Sequence, residues 1–350
     1  MYPALAVFQA LYAKHPDVEI LWVGGENGME AELVKHAGLP FTSIPAGGLH
    51  GVGLRVLTRS LTQLGRGFLA SRKILRDFRP DVLFFTGGFV AGPMAIAGRH
   101  VPTLLYVPDI EPGLALKSLS RFADRIAVSA EDSKKYFDRK VIVTGYPVRP
   151  EIKAWTRKKG RAALKLVDDL PVLLVVGGSK GARTINQALV PQLPALLDKA
   201  QIVHLTGQLD WEAVETARAG LTKAQKKRYQ AYPYLHEQMG AALAAADLVI
   251  ARAGASALGE FPFFGLPAIL VPYPHAWRYQ KVNADYLAQH GAAILVPDEL
   301  LKYELLMVVN DLLNDPSRRQ VMKKAMKLLV RPQAAEDIAE QLLNLGGHRQ

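Results

Sequence analysis

The sequence predicts an α/β protein made of two doubly wound units, each a parallel sheet covered by helices. Three observations predict this class. Short apolar strand patterns alternate with amphipathic helical patterns along the whole chain. Several of these strands run directly into glycine turns. The chain of 350 residues also has room for two domains of roughly 150 residues each.

Both halves follow the same order of elements. In the first half we expect strands at residues 19–23, 81–86, 103–106, 125–128 and 141–144, with helices near residues 4–14, 29–37, 61–77 and 93–99. In the second half we expect strands at residues 172–176, 202–206, 229–231, 248–251 and 268–271. The prolines and charges of residues 147–159 indicate a linker between the halves. A doubly wound domain begins with a strand, whereas this sequence opens on a helix, so we expect its first strand and glycine loop to be missing from this chain.

Composition and charge narrow the function. The chain has no cysteine, which excludes a disulfide scaffold, a thiol nucleophile and cysteine-bound metal. No apolar run approaches the ~20 residues of a membrane-spanning helix. The 43 Lys and Arg residues against 32 Asp and Glu give a net charge of +11, which predicts an anionic partner. Nucleic acid, phospholipid headgroups and phosphorylated substrates all fit that charge.

The most informative segment is PVLLVVGGSKGARTIN, residues 171–186. A strand runs into a turn containing Gly177, Gly178 and Gly181, and the turn runs into a helix. Glycines let the backbone bend sharply and let a ligand approach closely, and the free N–H groups of a helix start favour phosphate. Ser179 is placed to cap the helix and to offer a hydroxyl. The alternative interpretation is an ordinary βα connection.

A second segment, DLVIARAGASALGE, has the same form at residues 247–260. Its strand is followed by small residues that include Gly254 and Ala255, and Ser256 begins a helix. This pattern predicts a second phosphate-binding turn at the carboxyl end of a parallel strand. Glu260 follows about one and a half turns into the helix, where a carboxylate can accept two hydrogen bonds from a ribose diol. A solvated helix glutamate is the alternative.

Other polar residues follow the ends of predicted strands. Gln280 and Asn283 come after a proline-rich loop and suit a sugar, or alternatively a surface helix cap. Arg149 comes just past the last strand of the first half and is a candidate diphosphate clamp. Asp109 and Glu111 follow a strand in the first half. They could act as a base or as metal ligands, or simply cap the next helix.

Residues 50–80 combine leucines at helical spacing with interleaved arginines and lysines. A basic and apolar helix of this kind can lie on an anionic membrane surface. Core packing with a solvated cationic side is the alternative, and we favour it for most of the leucines.

In this order, the segments resemble glycosyltransferase family 28, and within it the N-acetylglucosaminyltransferases that complete the lipid-linked peptidoglycan precursor. The matching motifs are PALAV, GGFVAGP, TGYPVR, GGSKGARTIN, DLVIARAGASALGE, GLPAILVPYP and QKVNA. The resemblance implies a GT-B fold with two Rossmann-like domains facing a central cleft. It implies an acceptor- and membrane-side domain at residues 1–147, a UDP-sugar domain at residues 148–331, and a helix at residues 332–350 that packs back on the first domain.

The same resemblance implies substrates and a location. The donor would be UDP-N-acetylglucosamine and the acceptor undecaprenyl-pyrophosphoryl-N-acetylmuramoyl-pentapeptide. The protein would be peripheral on the inner face of the plasma membrane, so an anionic membrane surface would be one of its partners. Nucleic acid would not be a partner. The transfer reaction would need no cofactor. It would tolerate a metal ion but would not depend on one.

Site residues carry over from the family by motif. The resemblance assigns the diphosphate to Gly178 and Ser179, the donor phosphates to Gly254, Ala255 and Ser256, the ribose to Glu260, the sugar hydroxyls to Gln280 and Asn283, an essential role to Arg149, and uracil to the backbone at His236.

Two departures from the family bear on catalysis. The family's GGTGGH segment, whose histidine the resemblance implies as the general base, would precede Met1, and we favour a miscalled start as the reason. In the loop YVPDIEPG, Asp109 stands where the family has asparagine. Asp109 is therefore a candidate base, and Arg149 is the other candidate catalytic residue. We expect an inverting transfer in which helix starts, Arg149 and Ser179 stabilise departing UDP.

Other functions are considered from the sequence. A UDP-N-acetylglucosamine 2-epimerase or a GT-B transferase with another acceptor is the main alternative, because Asp109 and Glu111 are acids. A truncated protein that only binds UDP is another. A dinucleotide-dependent oxidoreductase is disfavoured, because GGSKGA is not the G-x-G-x-x-G of that class.

Overall fold

The computed structural model describes residues 1–26, 28, 30–45, 54–138, 140–167, 169–178, 181–235, 237–276 and 278–347, with the side chains of residues 54–61 left out. The chain divides into two compact units. The first unit is Met1–Pro147 with Gln333–Gln350, and the second unit is Val148–Pro332. Across the described helices, none combines the length and the apolar character that crossing a membrane requires.

The strands and helices alternate along the chain. The strands are β1 (Trp22–Gly25), β2 (Phe41–Ile44), β3 (Leu83–Phe85), β4 (Thr103–Val107), β5 (Arg125–Val128), β6 (Val141–Val143), β7 (Val172–Val176), β8 (Gln201–Leu205), β9 (Tyr229–Tyr232), β10 (Leu248–Ala251), β11 (Ala268–Leu270) and β12 (Ala293–Leu295). The helices are α1 (Tyr2–Lys14), α2 (Glu30–His36), α3 (Leu54–Phe78), α4 (Ala91–Ala97), α5 (Leu114–Leu119), α6 (Pro150–Lys153), α7 (Arg157–Ala163), α8 (Arg183–Leu189), α9 (Leu193–Leu197), α10 (Trp211–Ala219), α11 (Lys223–Arg228), α12 (Met239–Ala245), α13 (Glu260–Phe264), α14 (Tyr279–Gln289), α15 (Leu301–Asn314), α16 (Pro316–Leu328) and α17 (Ala334–Gly346).

In the first unit, β3, β4, β5 and β6 form a parallel sheet in that order, and β1 pairs with β2 in a separate parallel sheet. Strand β4 is buried along its whole length. Because side chains alternate along a strand, Leu105 and Val107 enter one apolar cluster while Leu104 and Tyr106 enter another. The second cluster also contains residues of α1 and α17, so the last helix of the chain packs in the first unit. The expectation of a strand before Met1 stays a prediction.

In the second unit, six parallel strands follow the order β12-β11-β10-β7-β8-β9. The chain runs outward from β7 through β8 to β9, and then returns to build β10, β11 and β12 on the other side of β7. The strand order therefore reverses between β7 and β10. Both strands read as continuous apolar runs because helices cover both faces of the sheet.

The structure differs from the sequence-based description of local structure in three places. Residues 147–159 are not only a linker, because α6 lies within them and α7 begins there after a Thr156 cap. Strands β2 and β12 were not expected. The helix expected from Ser256 through Glu260 is two elements: a 3-10 turn at Ala255–Leu258, and α13, which begins at Glu260. Gly259, with φ −123° and ψ −50°, separates them.

Candidate functional site

The two glycine turns singled out in the sequence leave neighbouring strands of the second unit. Strands β7 and β10 are paired in parallel, with Val176 opposite Ala251. Both turns therefore emerge at the carboxyl edge of the sheet, at the point where the strand order reverses. In open α/β sheets that point is where ligands bind, because the connections on either side diverge and leave a crevice.

The turn after β7 uses its glycines in two ways. A Cβ atom on Gly177 would lie 2.3 Å from the amide nitrogen of Ala182, and one on Gly181 would lie 2.4 Å from the carbonyl oxygen of Thr206. These two glycines are needed because Gly177 packs tightly on the backbone of its own turn and Gly181 on the backbone that follows β8. Gly178 is different: its φ is +92°, and no described atom lies within 4 Å of a Cβ added there. A ligand can therefore reach the backbone at Gly178.

Helix α8 begins at Arg183 after the N-cap residue Ala182, and no side chain among the described residues caps it. The predicted capping role of Ser179 stays a prediction. Ser179 lies outside the described residues, as does His236. The phosphate contact of Ser179 and the uracil contact at His236 stay predictions.

The turn after β10 presents its backbone in a similar way. Gly254 precedes the 3-10 turn at Ala255–Leu258, and its carbonyl oxygen accepts a hydrogen bond of 3.0 Å from the amide of Ala257. The amides of Ala255 and Ser256 start that turn, where backbone N–H groups have no partner within the helix. No atom of the described residues lies within 4 Å of a Cβ added to Gly254. This turn thus has open space beside it and donors at its start.

Glu260 and Arg149 interact within the second unit. Burial raises the pKa of Glu260 to about 7, and the positive charge of Arg149 opposes that rise. Arg149 is the N-cap residue of α6, and Glu260 is the first residue of α13. An acid with this pKa is only partly ionised at neutral pH. Hydrogen bonds donated by a ligand would therefore stabilise its charged form.

The structure gives Gln280 and Asn283 backbone partners. The Gln280 side chain accepts a hydrogen bond of 2.9 Å at Oε1 from the amide of Tyr273, which leaves its Nε2 donors for other groups. Asn283 is completely buried, and its Nδ2 donates a hydrogen bond of 3.0 Å to the carbonyl oxygen of Ala253. Asn283 therefore fixes the turn that contains Gly254. Its predicted contact with a sugar hydroxyl stays a prediction.

Asp109 lies in the first unit, just after β4. It is near the buried phenol of Tyr106, whose pKa is raised mainly by burial and further by the charges of Tyr146 and Asp109. The Tyr106 hydroxyl lies 2.9 Å from Ser129 Oγ and donates to the carbonyl of Gly145. In the part of the chain that the structure describes, no group of three acidic or histidine side chains is arranged to hold a metal. The metal-ligand alternative for Asp109 and Glu111 therefore has no third ligand among the described residues.

A buried polar network behind the turn after β7 was not expected from the sequence. His204 is fully buried, with Nδ1 2.8 Å from the Tyr229 hydroxyl and Nε2 2.9 Å from Asn186 Oδ1. Asn186 donates from Nδ2 to the Thr206 carbonyl and to Asp210. Its Oδ1 is therefore the acceptor, which assigns the His204 proton to Nε2. Burial lowers the pKa of His204 to about 3.

A second unexpected cluster joins Arg252, Thr184 and Asp298. The Arg252 guanidinium forms an ion pair with Asp298 and donates a hydrogen bond of 2.7 Å to Thr184 Oγ1. Arg252 lies inside the glycine-rich motif, but nothing in the sequence places its two partners beside it.

Comparisons with known proteins identify the family and the fold of this chain. Residues 1–128 match the glycosyltransferase family 28 N-terminal domain, and residues 172–342 match the glycosyltransferase family 28 C-terminal domain. Relatives from Roseiflexus sp. (strain RS-1) and Desulforudis audaxviator (strain MP104C) are 39% and 40% identical; the matches cover 100% and 99% of this chain and 93% and 95% of theirs. Both relatives are named UDP-N-acetylglucosamine–N-acetylmuramyl-(pentapeptide) pyrophosphoryl-undecaprenol N-acetylglucosamine transferase. The crystal structure of MurG from Acinetobacter baumannii matches with a TM-score of 0.77 and 25% identity, over 98% of this chain and 95% of that one.

Proposed function

This chain belongs to glycosyltransferase family 28, and from that premise we propose that it transfers N-acetylglucosamine from UDP-N-acetylglucosamine to the undecaprenyl-linked N-acetylmuramoyl-pentapeptide of peptidoglycan synthesis. The family and the GT-B fold predicted from the sequence are confirmed. The residues that bind the donor and catalyse the transfer are proposals, argued below from their positions.

One observation carries the donor assignment. The turns at Gly178 and Gly254 leave adjacent parallel strands, and in the part of the chain that the structure describes no atom occupies the space beside either glycine. Two such turns side by side suit the two phosphates of a nucleoside diphosphate, because main-chain N–H groups bind anions without a metal. The diphosphate of UDP would then lie between Gly178 and the start of the turn at Ala255 and Ser256.

The remaining donor contacts follow from residues around these turns. The Glu260 carboxylate would accept hydrogen bonds from the ribose diol, and these bonds would favour its charged form. Arg149 would bind the diphosphate while keeping part of Glu260 ionised. Gln280 would donate from Nε2 to a sugar hydroxyl, since its Oε1 is already used. The family resemblance adds Ser179 and the His236 backbone.

The proposed chemistry is a direct displacement with inversion. The acceptor 4-hydroxyl attacks the anomeric carbon, and the bond from that carbon to the diphosphate oxygen breaks, its electron pair leaving with UDP. Asp109 would take the hydroxyl proton. Arg149 and the backbone amides would stabilise the charge that develops on UDP, so the reaction as proposed needs neither cofactor nor metal.

We further propose that the protein acts at an anionic membrane surface on the cytoplasmic face. Helix α3 supports this proposal, because the exposed side chains Arg66, Arg72, Lys73 and Arg76 lie on it together with Leu69, which is 65% exposed. Leu54, Leu57 and Leu61 are among the leucines at helical spacing in this segment, but their side chains lie outside the described residues.

The test is a product analysis with the full chain, labelled UDP-N-acetylglucosamine and the lipid-linked acceptor. We expect equal amounts of free UDP and of a lipid-linked disaccharide. Release of an isomerised sugar nucleotide without acceptor would instead identify the 2-epimerase alternative. Absence of both products would contradict the proposed function.

A further inference from the structure

Arg252, Thr184 and Asp298, here called the Arg252 clamp, form a closed triangle in the second unit. The Arg252 guanidinium contacts Asp298 Oδ1 through Nη1 and donates to Thr184 Oγ1 through Nη2, over 2.7 Å. Thr184 Oγ1 in turn donates to Asp298 Oδ1, also over 2.7 Å. The side chains of Arg252 and Asp298 are only 9% and 11% exposed. Each of the three groups therefore bonds to both of the others away from bulk water.

The clamp connects the ends of four strands. Arg252 directly follows β10, Asp298 follows β12, and Thr184 is the second residue of α8, beyond the glycine turn that leaves β7. Arg252 Nη1 also donates to the carbonyl of Val271, over 3.1 Å, at the end of β11. Its guanidinium carbon lies 5.2 Å from the centre of the Tyr273 ring, a cation–π contact. Arg252 thus contacts residues from the connections that follow β7, β11 and β12, and it itself follows β10.

We propose that Arg252 is a positioning residue for the donor diphosphate. The clamp holds the start of α8 and the turn containing Gly254 at a fixed separation, so that both turns present their amides to the two phosphates together. This inference rests on the proposed function, because it assigns the clamp to the same UDP site.

The chemistry of arginine supports a positioning role. A guanidinium is planar and rigid, and it can donate in two fixed directions, which lysine cannot do. Arg252 uses these directions for an acid from one connection and a hydroxyl from another. A buried ion pair is an inefficient way to gain stability, whereas it is well suited to specify one arrangement of neighbouring loops. Small displacements of binding groups weaken ligand binding strongly. We therefore expect loss of the Arg252 clamp to lower the affinity for UDP.

The sharpest test compares two substitutions at one residue. Thr184→Val has nearly the same shape but removes both hydrogen bonds, while Thr184→Ser keeps the hydroxyl. In calorimetric titrations of the full chain with UDP, we expect Thr184→Val to weaken binding roughly tenfold or more, with Thr184→Ser close to the unsubstituted protein. Asp298→Asn is expected to weaken binding in the same direction. Asp298 follows β12, whereas Thr184 lies in α8. Asp298→Asn therefore tests the Arg252 clamp independently, even if Thr184→Val fails to fold.

Two controls separate positioning from general stability. Glu215→Gln breaks an arginine ion pair on the surface of α10, and we expect it to leave UDP binding unchanged. The double variant Thr184→Val/Asp298→Asn is expected to lose no more affinity than the weaker-binding single variant, because both act through Arg252.

The outcomes are distinguishable. Normal UDP binding by folded Thr184→Val and Asp298→Asn, with only their thermal midpoints lowered, would overturn this inference alone. Equal losses in Thr184→Val and Thr184→Ser would also overturn it. Failure of the unsubstituted chain to bind UDP would overturn the proposed function, and the inference with it.

Discussion

Val176 lies directly opposite Ala251 in the pairing of β7 with β10. These are the last residues of two adjacent strands, and a glycine turn follows each of them. The strand order reverses between the same two strands, so the crevice that this topology opens falls between the two turns. The proposed binding of UDP depends on this relationship, and the predictions below test its parts.

Substitution of Gly178 tests backbone access at the first turn. Gly178 and Gly38 both have positive φ, +92° and +72°, and neither has an atom of the described residues within 4 Å of an added Cβ. We expect Gly178→Ala and Gly38→Ala each to lower the free energy of unfolding by about 1 kcal/mol through backbone strain. Only Gly178→Ala should also weaken UDP binding, since its methyl group enters the space assigned to the diphosphate. Calorimetry and chemical denaturation of both variants check this, and equal UDP affinities would remove Gly178 from the site.

The pH dependence of donor binding tests Glu260. Its pKa is raised to about 7, and the ribose diol is proposed to bind the ionised form. As pH falls below 7 the carboxyl becomes protonated, so affinity for UDP-N-acetylglucosamine should fall, approaching about tenfold per pH unit. Above pH 8 the affinity should level off. The sugar nucleotide is the right probe, because its diphosphate is esterified at both ends and does not titrate in this range.

The matched variant for that experiment is Glu260→Gln. It keeps the shape of the side chain but cannot ionise, so we expect weaker binding that no longer varies between pH 6 and pH 8. A variant that retained the pH dependence of the unsubstituted protein would show that another group is responsible.

Arg149 is expected to act on both the diphosphate and Glu260. Arg149→Met removes the charge that opposes the rise in the pKa of Glu260, so the pH at which donor affinity is half-maximal should move above 7. The same variant should lower kcat roughly a hundredfold, because a charge that stabilises the leaving group is lost. Lys158→Met, which removes an exposed cation from α7, is the control and should change neither quantity. A drop in kcat without movement of the pH profile would contradict the link between Arg149 and Glu260.

His204 predicts how stability depends on pH. Its pKa is lowered by burial to about 3 in the folded protein, whereas an unfolded histidine has a pKa near 6.5. The unfolded chain therefore takes up a proton first as pH falls, and the stabilising contribution of neutral His204 is lost progressively below pH 6.5. Between pH 6.5 and pH 5 this amounts to about 2 kcal/mol of unfolding free energy.

Denaturation curves of His204→Gln and of His290→Gln check this contribution. His204→Gln should be less stable at pH 7 but should lack that part of the decline toward pH 5. His290 is exposed, so its replacement should leave the decline intact. The same decline in all three proteins would assign it to other groups.

Much of the fold could be predicted from the sequence because its strongest strands are buried. Strands β5, β7 and β10 begin and end where the sequence predicted, since each is an apolar run bounded by polar or turn residues. Strand β2, with the sequence FTSI, and β12, with AIL, were missed. They are short or partly polar, and only their pairing with neighbouring strands makes them strands.

The candidate site divides in the same way. Glycine turns after strands are local signals, so Gly178 and Gly254 could be found from the sequence. The Arg252 clamp could not, because Thr184, Arg252 and Asp298 come from three distant parts of the chain. The structural contact of Asn283 could not be predicted from the sequence either. Its residue type suited a sugar ligand, and only the tertiary structure reveals that it bonds to the carbonyl of Ala253.

A crystal structure of the protein with UDP tests the central claim most directly. The account predicts diphosphate density against the backbone at Gly178 and Gly254, with the ribose hydroxyls within hydrogen-bond distance of the Glu260 carboxylate. Density for the diphosphate away from these two turns would contradict it.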